Sequence, residues 1–321
     1  MRPAFSRAPR QPPPPLPDDP AGLSRAAVDS ARAHGFAAAG VLRASRPLSF
    51  ERYRAWLEKG LHAEMAYLER DAAARARFDA IQPYTRSVLA VARAVRGHGP
   101  GNVAQFARGE DYHRVVRRHL KAVIEDLRPL APRGTHFRVC VDTAPLLERE
   151  IAARAGLGFL GKNGLLIVPG LGSHVVLGEV LTDAALAPTA APADPGADRC
   201  GTCTACLDAC PTAAFLAPRV LDARKCISYL TIEKRTPFTP AEEAALGGRL
   251  FGCDECQDVC PFNAAWSAEP GGPAASLDPE EILDLGADAF RARFFGSSIW
   301  RATHEGLGRN AAAALRREAP R

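Results

Sequence analysis

The run Cys200-Gly-Thr-Cys203-Thr-Ala-Cys206-Leu-Asp-Ala-Cys210-Pro211 decides what kind of chain this is. It is the C-x2-C-x2-C-x3-C-P pattern in which three cysteines hold one [4Fe–4S] cluster and the fourth crosses to a second. A second run, Cys253-Asp-Glu-Cys256-Gln-Asp-Val-Cys260-Pro261, is one cysteine short of it, and Cys226 lies between the two. The ligand count then closes. Cys200, Cys203, Cys206 and Cys260 serve one cluster, and Cys210, Cys226, Cys253 and Cys256 serve the other. Structural zinc is the competing reading, but it takes four thiolates per ion and gives no role to the Cys-Pro ending each run. Disulfides are not expected, because nothing marks the chain for export and cytosolic thiols stay reduced. The remaining cysteine, Cys140, sits in the apolar run Phe137-Arg-Val-Cys-Val141 and reads as a buried small hydrophobe.

With 321 residues the chain has room for more than one domain, and the cysteines use only its later third. An electron carrier alone would not need the large segment that precedes them. Residues 1–20, rich in proline, read as a disordered tail, and 21–187 as an α/β domain. Residues 188–265 read as a ferredoxin-like domain with two [4Fe–4S] clusters, and 266–321 as a C-terminal segment packing on the others. No repeat of fixed period is visible, so no helical-repeat appendage is expected. The longest apolar stretch, Gly164 to Leu181, is interrupted by Pro169, Ser173, His174 and Glu179, so no membrane span is expected and the protein is expected to be cytoplasmic. A net charge of +5 is compatible with RNA binding without establishing it.

Helical periodicity runs from Leu23 to His34, with Gly35 as the residue that ends it, and Phe36 to Leu42 reads as a strand. Ser49 can cap a helix carrying Phe50, Tyr53, Trp56 and Leu57 on one face, and a further helical stretch runs from about 63 to 78. Ser87–Val95 reads as a buried strand, and Asp111–Leu127 as an amphipathic helix with Val116, Leu120, Val123 and Leu127 inward. A strand at Phe137–Val141, a helix from Pro145 to about Ala155, and strands near Leu165–Val168 and His174–Thr182 follow. Phe290, Phe294, Phe295, Ile299 and Trp300 read as apolar anchors of the C-terminal segment.

Asp142 falls where the strand Phe137–Val141 stops, where ligands of open α/β domains bind. It is either a proton donor or, with Thr143, the cap of the helix that follows. The stretch Gly156-Leu-Gly-Phe-Leu-Gly-Lys-Asn-Gly164 follows a helix rather than a strand, which is the wrong context for a dinucleotide fingerprint. It reads as a turn bringing backbone close to something large and flat, with Lys162 as an anion contact or a solvated lysine.

Further stretches complete a pattern. They are Leu61-His-Ala-Glu-Met-Ala-Tyr-Leu68, Gly109-Glu-Asp-Tyr-His113, Val141-Asp-Thr-Ala-Pro-Leu-Leu-Glu-Arg149, Gly172-Ser173 and Leu177-Gly-Glu179. Leu221-Asp-Ala-Arg-Lys-Cys-Ile-Ser-Tyr-Leu-Thr-Ile-Glu233 and Glu305-Gly-Leu-Gly-Arg-Asn310 belong with them. In this order, and joined to the cysteine and glycine runs, they resemble the epoxyqueuosine reductase family from about residue 22 to the end.

The resemblance implies a cobalamin-binding domain over 21–187 and an oxidoreductase that reduces epoxyqueuosine at the tRNA wobble position to queuosine. Electrons would pass through both [4Fe–4S] clusters to cobalamin, with Asp142 as proton donor, shielded from water by the corrin. Corrin contacts carried over are Arg75, Asp142, Leu166, Ile167, Val168, Leu177, Val180, Ser228 and Asp254. The D-x-H-x-x-G motif of a ligating histidine is absent, so only the resemblance points to cobalamin. The implied partners are a tRNA with a GUN anticodon carrying epoxyqueuosine and a cytosolic electron donor of unknown identity, the protein itself being a monomer. Lys234 and Arg235 are the expected tRNA contacts, with Arg293, Arg301 and Arg309 as further phosphate candidates. The alternatives are an iron–sulfur electron-transfer protein and another corrinoid-dependent reductase.

Overall fold

Four strands form one sheet in the order β1 (Ala38–Arg43), β2 (Ser87–Ala94), β6 (Val175–Thr182), β3 (Phe137–Cys140), and every neighbouring pair is antiparallel. The computed structural model describes residues 14–95, 101–191, 198–266 and 275–318. Helices α1 (Pro20–Ala33) and α5 (Tyr112–Leu127) cover one face of the sheet. Helix α6 (Glu148–Arg154) and the hairpin β4 (Phe159–Leu160) with β5 (Leu166–Ile167) cover the other. Helix and strand do alternate along much of the chain, yet no parallel crossover results. Asp142 lies at an edge where β2 and β3 finish and β6 begins, which places it without the parallel-sheet rule.

Each covering element shows its cause in the sequence. Asp111 caps α5 by accepting the His113 N–H at 2.9 Å, and Val116, Leu120, Val123, Ile124 and Leu127 recur at helical spacing and are buried. Gly35 ends α1 with a φ of +81°. Helix α2 (Phe50–Glu58) starts after Ser49, but Ser49 makes no cap: its N–H and hydroxyl bond to the buried Glu150 carboxylate instead. The stretch after it divides into α3 (Ala66–Arg70), α4 (Ala72–Arg75) and a 3-10 turn at Phe78–Ala80. Neither short helix buries a residue, so no packed face sustains a longer one. Pro145 lies before α6, not in its first turn.

The proline-rich tail lies partly outside the described residues. From Pro14 onward it is seated, since the Pro14 carbonyl accepts Arg86 Nη1 at 3.0 Å. The glycine run has a local explanation. A Cβ on Gly158 would stand 2.0 Å from the Ile167 carbonyl, so the flat object it approaches is the facing strand of its own hairpin. Lys162 Nζ donates to the Gly201 carbonyl at 2.5 Å and ties this hairpin to the first cysteine run.

The cysteine segment is built from α7 (Ala205–Asp208), the hairpin β7 (Phe215–Ala217) with β8 (Val220–Leu221), α8 (Ile227–Ile232), α9 (Pro240–Ala245) and α10 (Glu255–Asp258). Helices α7 and α10, one inside each cysteine run, pack together. Helices α11 (Pro279–Asp284), α12 (Ala287–Phe294) and α13 (Thr303–Glu318) build a third core around Phe251, Leu250, Phe290, Ile299 and Leu307, which takes in Val103 and Ala107 from the loop after β2. Two backbone bonds stitch that loop to the cysteine segment, Ala104 N–H to the Phe251 carbonyl (2.7 Å) and Leu250 N–H to the Asn102 carbonyl (2.8 Å). Phe295 is 65% exposed and Trp300 39%, so neither is the buried anchor the pattern suggested.

Asn310 on α13 is fully buried, and its Nδ2 donates to the carbonyls of Thr231 and Leu250, both at 2.8 Å. Asn310→Ala leaves two buried carbonyls unpaired and is expected to destabilise the protein by about 2–3 kcal/mol. Chemical denaturation under anaerobic conditions reads this as a lower midpoint, and an unchanged midpoint contradicts it.

Candidate functional site

Neighbouring cysteine thiols bear on one another along much of this segment. Burial pushes the Cys206 thiol up, and Cys200, Cys260 and Cys203 push it the same way; Cys260 in turn feels Cys200 and Cys203. In the other group burial raises Cys256, with Cys226 and Cys253 adding to it, and Cys226 feels Cys210. Burial pushes Cys253 up to about 11. Cys206 also bears on Cys256, so the two groups are neighbours. Among the described residues no three His, Cys, Asp or Glu side chains converge closely enough for a single metal ion. Two spread tetrads of thiols fit a larger cluster, and bound to iron each would be a thiolate. The amide N–H groups of Tyr229 and Ser228, at the start of α8, point to Cys226. Cys140 lies apart, buried in the sheet core, and burial pushes it up to about 12.

Beside the second group lies a cavity of about 640 Å³ lined by Cys253, Asp254, Gln105, Arg108 and His174 among others. Asp254, nearly buried, accepts the Gln105 N–H at 2.7 Å and Gln257 Nε2 at 3.1 Å. Gln105 Oε1 is buried with no partner. Asn263 Oδ1 accepts the Ser173 N–H at 2.6 Å, and a Cβ at Gly172, where φ is +84°, would collide with that oxygen. This contact seats the start of β6 on the second cysteine run.

From the cavity wall the chain runs through Phe106, edge-on to Tyr112, to His113, which stacks on Tyr112 with ring centroids 4.0 Å apart. His113 Nδ1 lies 2.7 Å from Asp111 Oδ1 and Nε2 lies 3.1 Å from Asp142 Oδ2. Burial opposes charge on His113, but hydrogen bonds to Asp111 and Asp142 outweigh it and hold its pKa up at about 9. At neutral pH it is an imidazolium hydrogen-bonded to the side chains of both Asp111 and Asp142. Asp142 has φ +52° and its side chain is 55% exposed. Neither Asp142 nor Thr143 caps α6. The relation is inverted, with Glu148 of α6 accepting the Asp142 N–H at 2.6 Å.

Beneath this turn Glu179 of β6 is completely buried, opposite Cys140 in the β3 register, and neither carboxylate oxygen meets a donor. It lies against Glu148, and a bond between the two carboxyls exists only if one carries a proton. Burial pushes both upward, and each bears on the other.

The other expected contacts are spread more widely. Arg75 donates from Nη1 to the Leu146 carbonyl at 2.8 Å, while its buried Nε has no partner. Leu166, Val168 and Leu177 belong to the core under the acid, whereas Ile167 faces the other way, packed with Phe159 against Cys260 and Cys200. Val180 points to the opposite face of β6 from Leu177 and Glu179, into the core below α5. Ser228 is half-buried beside Cys226.

Lys234, 12% exposed, is held between Glu64 (3.8 Å) and Glu242 (3.2 Å). Arg309 is a structural pin, donating to the carbonyls of Lys234, Thr236 and Leu230 over the Phe238 ring. Arg235 bonds to the Ile232 and Arg301 carbonyls. Arg301 grips Glu233 with two bonds (2.8 and 2.7 Å), lies over Tyr67 and is close enough to feel Asp142. Arg293 stands apart on α12, paired with Glu281 at 3.2 Å.

His113, Tyr112, Glu148 and Glu179 all lie in quoted motifs, yet composition and period give them no role. The signal available was a carboxylate in a strand that is otherwise apolar, and Asp-x-His at a helix start.

Two groups of neighbouring thiols in the later part of the chain, and an acid on a strained turn at the edge of the sheet, suit an iron–sulfur redox protein. Comparison with known proteins narrows the class. Residues 199–263 match the 4Fe-4S double cluster binding domain, and 75–143 match the model described as epoxyqueuosine reductase QueG, DUF1730. The epoxyqueuosine reductase of Pseudomonas aeruginosa is 38% identical over 93% of this chain and 86% of its own length. That of Escherichia coli is 36% identical over 88% of this chain and 77% of its own. The crystal structure of an epoxyqueuosine reductase with an epoxyqueuosine-modified tyrosine tRNA stem loop superposes with a TM-score of 0.81 at 30% identity, over 92% of this chain and 81% of that one. The Bacillus subtilis enzyme, with its catalytic aspartate loop swung out of the active site, superposes with a TM-score of 0.78 at 29% identity over the same shares. The chain belongs to the epoxyqueuosine reductase family.

Two measurements test the site. Cys226→Ala should lower bound iron from about eight to about four atoms per chain, whereas Cys140→Ala should keep it whole; equal loss in both contradicts the grouping. The His113 ion pair should stabilise the fold fully below pH 6.5, the ordinary histidine value, and lose its contribution as pH rises through about 9. His113→Gln should flatten that part of the stability–pH curve, and an unchanged slope contradicts the pairing.

Proposed function

We propose that this chain reduces epoxyqueuosine in tRNA to queuosine, with Asp142 delivering a proton to the departing epoxide oxygen. The observation that carries this reading is Asp142 itself, held on a left-handed turn and hydrogen-bonded to a charged His113. Non-glycine residues rarely adopt positive φ, and such conformations are kept where surrounding contacts enforce them. Here the Glu148 and His113 bonds are those contacts.

Removing the oxygen of an epoxide to leave an alkene and water consumes two electrons and two protons. The two cysteine tetrads would pass the electrons one at a time. Cobalamin, when bound, would supply the cobalt centre at which they reach the substrate. Its fit rests on the cavity beside the second tetrad, and on the buried, unpartnered Gln105 Oε1 and Arg75 Nε. The corrin rim carries amide groups, which both donate and accept, so each orphan would gain a partner. Asp254 lines that cavity, Leu177, Leu166 and Val168 pack in the core under the acid, and Ser228 follows Cys226.

The proton that Asp142 gives lies one hydrogen bond from another donor, Nε2 of His113. His113 is therefore the adjacent source for restoring it. For the tRNA, exposed Phe295 and Trp300 offer faces on which unstacked bases can rest, with Arg301 and Arg235 nearby for phosphates. Lys234 acts from beneath, holding Glu64 and Glu242 rather than reaching outward.

Asp142→Ala should keep iron and corrin contents unchanged while lowering turnover of epoxyqueuosine-containing tRNA by at least about 100-fold, the usual span for a lost general acid. Full activity in this variant would sink the assignment.

A further inference from the structure

Among the described residues, Glu179 is a costly group where it lies. Its side chain is wholly buried, and both carboxylate oxygens lack a donor. An ionised carboxylate in that setting would be severely penalised. Its nearest polar neighbour is a second carboxyl, Glu148, whose Oε1 is committed to the Asp142 backbone N–H at 2.6 Å. We propose that Glu148 and Glu179 share one proton, and that this shared bond fixes Glu148 where it holds Asp142 in its left-handed turn.

The inference rests on Asp142 being the proton donor. Glu179 and Glu148 are then positioning residues, acting on the acid through one backbone bond. Two oxygens facing each other across a single proton resemble a carboxylic acid dyad, in which the charged partner needs the neutral one. The groups facing the pair from each side are consistent with one negative charge there. From β3 and the turn after it come Cys140 and Asp142, from α6 comes Arg149, and from α5 comes Tyr112. Arg149 also donates to the Gly164 carbonyl at 2.6 Å, and its charge bears on Glu148 but not on Glu179. As pH rises and the shared proton leaves, two buried carboxylates repel and the hold on Asp142 is released.

The test uses the enzyme reconstituted with its clusters and cobalamin. Infrared difference spectra between wild type and Glu179→Gln at neutral pH should show the carbonyl stretch of a protonated carboxyl in the wild type, shifting in D2O and absent from the variant. The introduced side-chain amide can still donate to Glu148, so E179Q should stay close to wild type in turnover. Glu179→Ala gives Glu148 no donor and should lower turnover by about 100-fold, the effect of a misplaced reacting group. Either an unaltered infrared band in E179Q or equal activity of the Ala and Gln variants would overturn the proposal. If wild type itself leaves epoxyqueuosine unreduced, the functional reading falls, and the infrared band alone decides whether the proton is shared.

Discussion

The rest of this structure depends on an exchange between two short cysteine runs. Cys260 ends the second run yet stands with Cys200, Cys203 and Cys206, and the other tetrad draws Cys210 from the first. Neither run can be moved without breaking both groups. That constraint sets α7 against α10 and fixes Asp254 between Cys253 and Cys256, at the wall of the cavity. The loop after β2 is then stitched to the same segment at Asn102 and Ala104. Through that loop the cluster domain sets the start of α5, and with it His113.

The acid site is the counterpart at the edge of the sheet. Its parts come from three places: the turn after β3, the first turn of α5, and the middle of β6. Each is held by a contact with little tolerance. Asn263 seats β6, Asp111 orients His113 while capping its helix, and Glu148 fixes the backbone of Asp142. Local strain and an unsatisfied carboxyl are concentrated here, as expected where geometry serves chemistry more than stability.

Much of this was legible in the sequence, for reasons that differ by residue. Thiol spacing points to cluster ligation directly, so the double-cluster segment over residues 199–263 could be read by counting, with Cys226 as the expected eighth ligand. The strands around Val88, Val139 and Leu181 were legible because each is a mostly apolar run between polar breaks. Strand direction was not, since helix–strand alternation fits antiparallel returns as well as parallel crossovers. Asp142 could be placed at a strand end, but its left-handed turn and its bond to Glu148 depend on a helix that begins later than Pro145 suggested. Lys234 and Arg309 looked like phosphate contacts because charge alone cannot show a side chain's partners, and both are occupied within the fold. Glu179 looked like an interruption in an apolar stretch, and only burial reveals what that interruption costs.

The measurement that bears most directly on the whole is anaerobic reconstitution of the chain with iron, sulfide and cobalamin, followed by incubation with a reductant and epoxyqueuosine-containing tRNA. Mass spectrometry of the released nucleosides should show epoxyqueuosine replaced by a species lacking one oxygen. A protein that holds both clusters and the corrin yet leaves the nucleoside unchanged would contradict it.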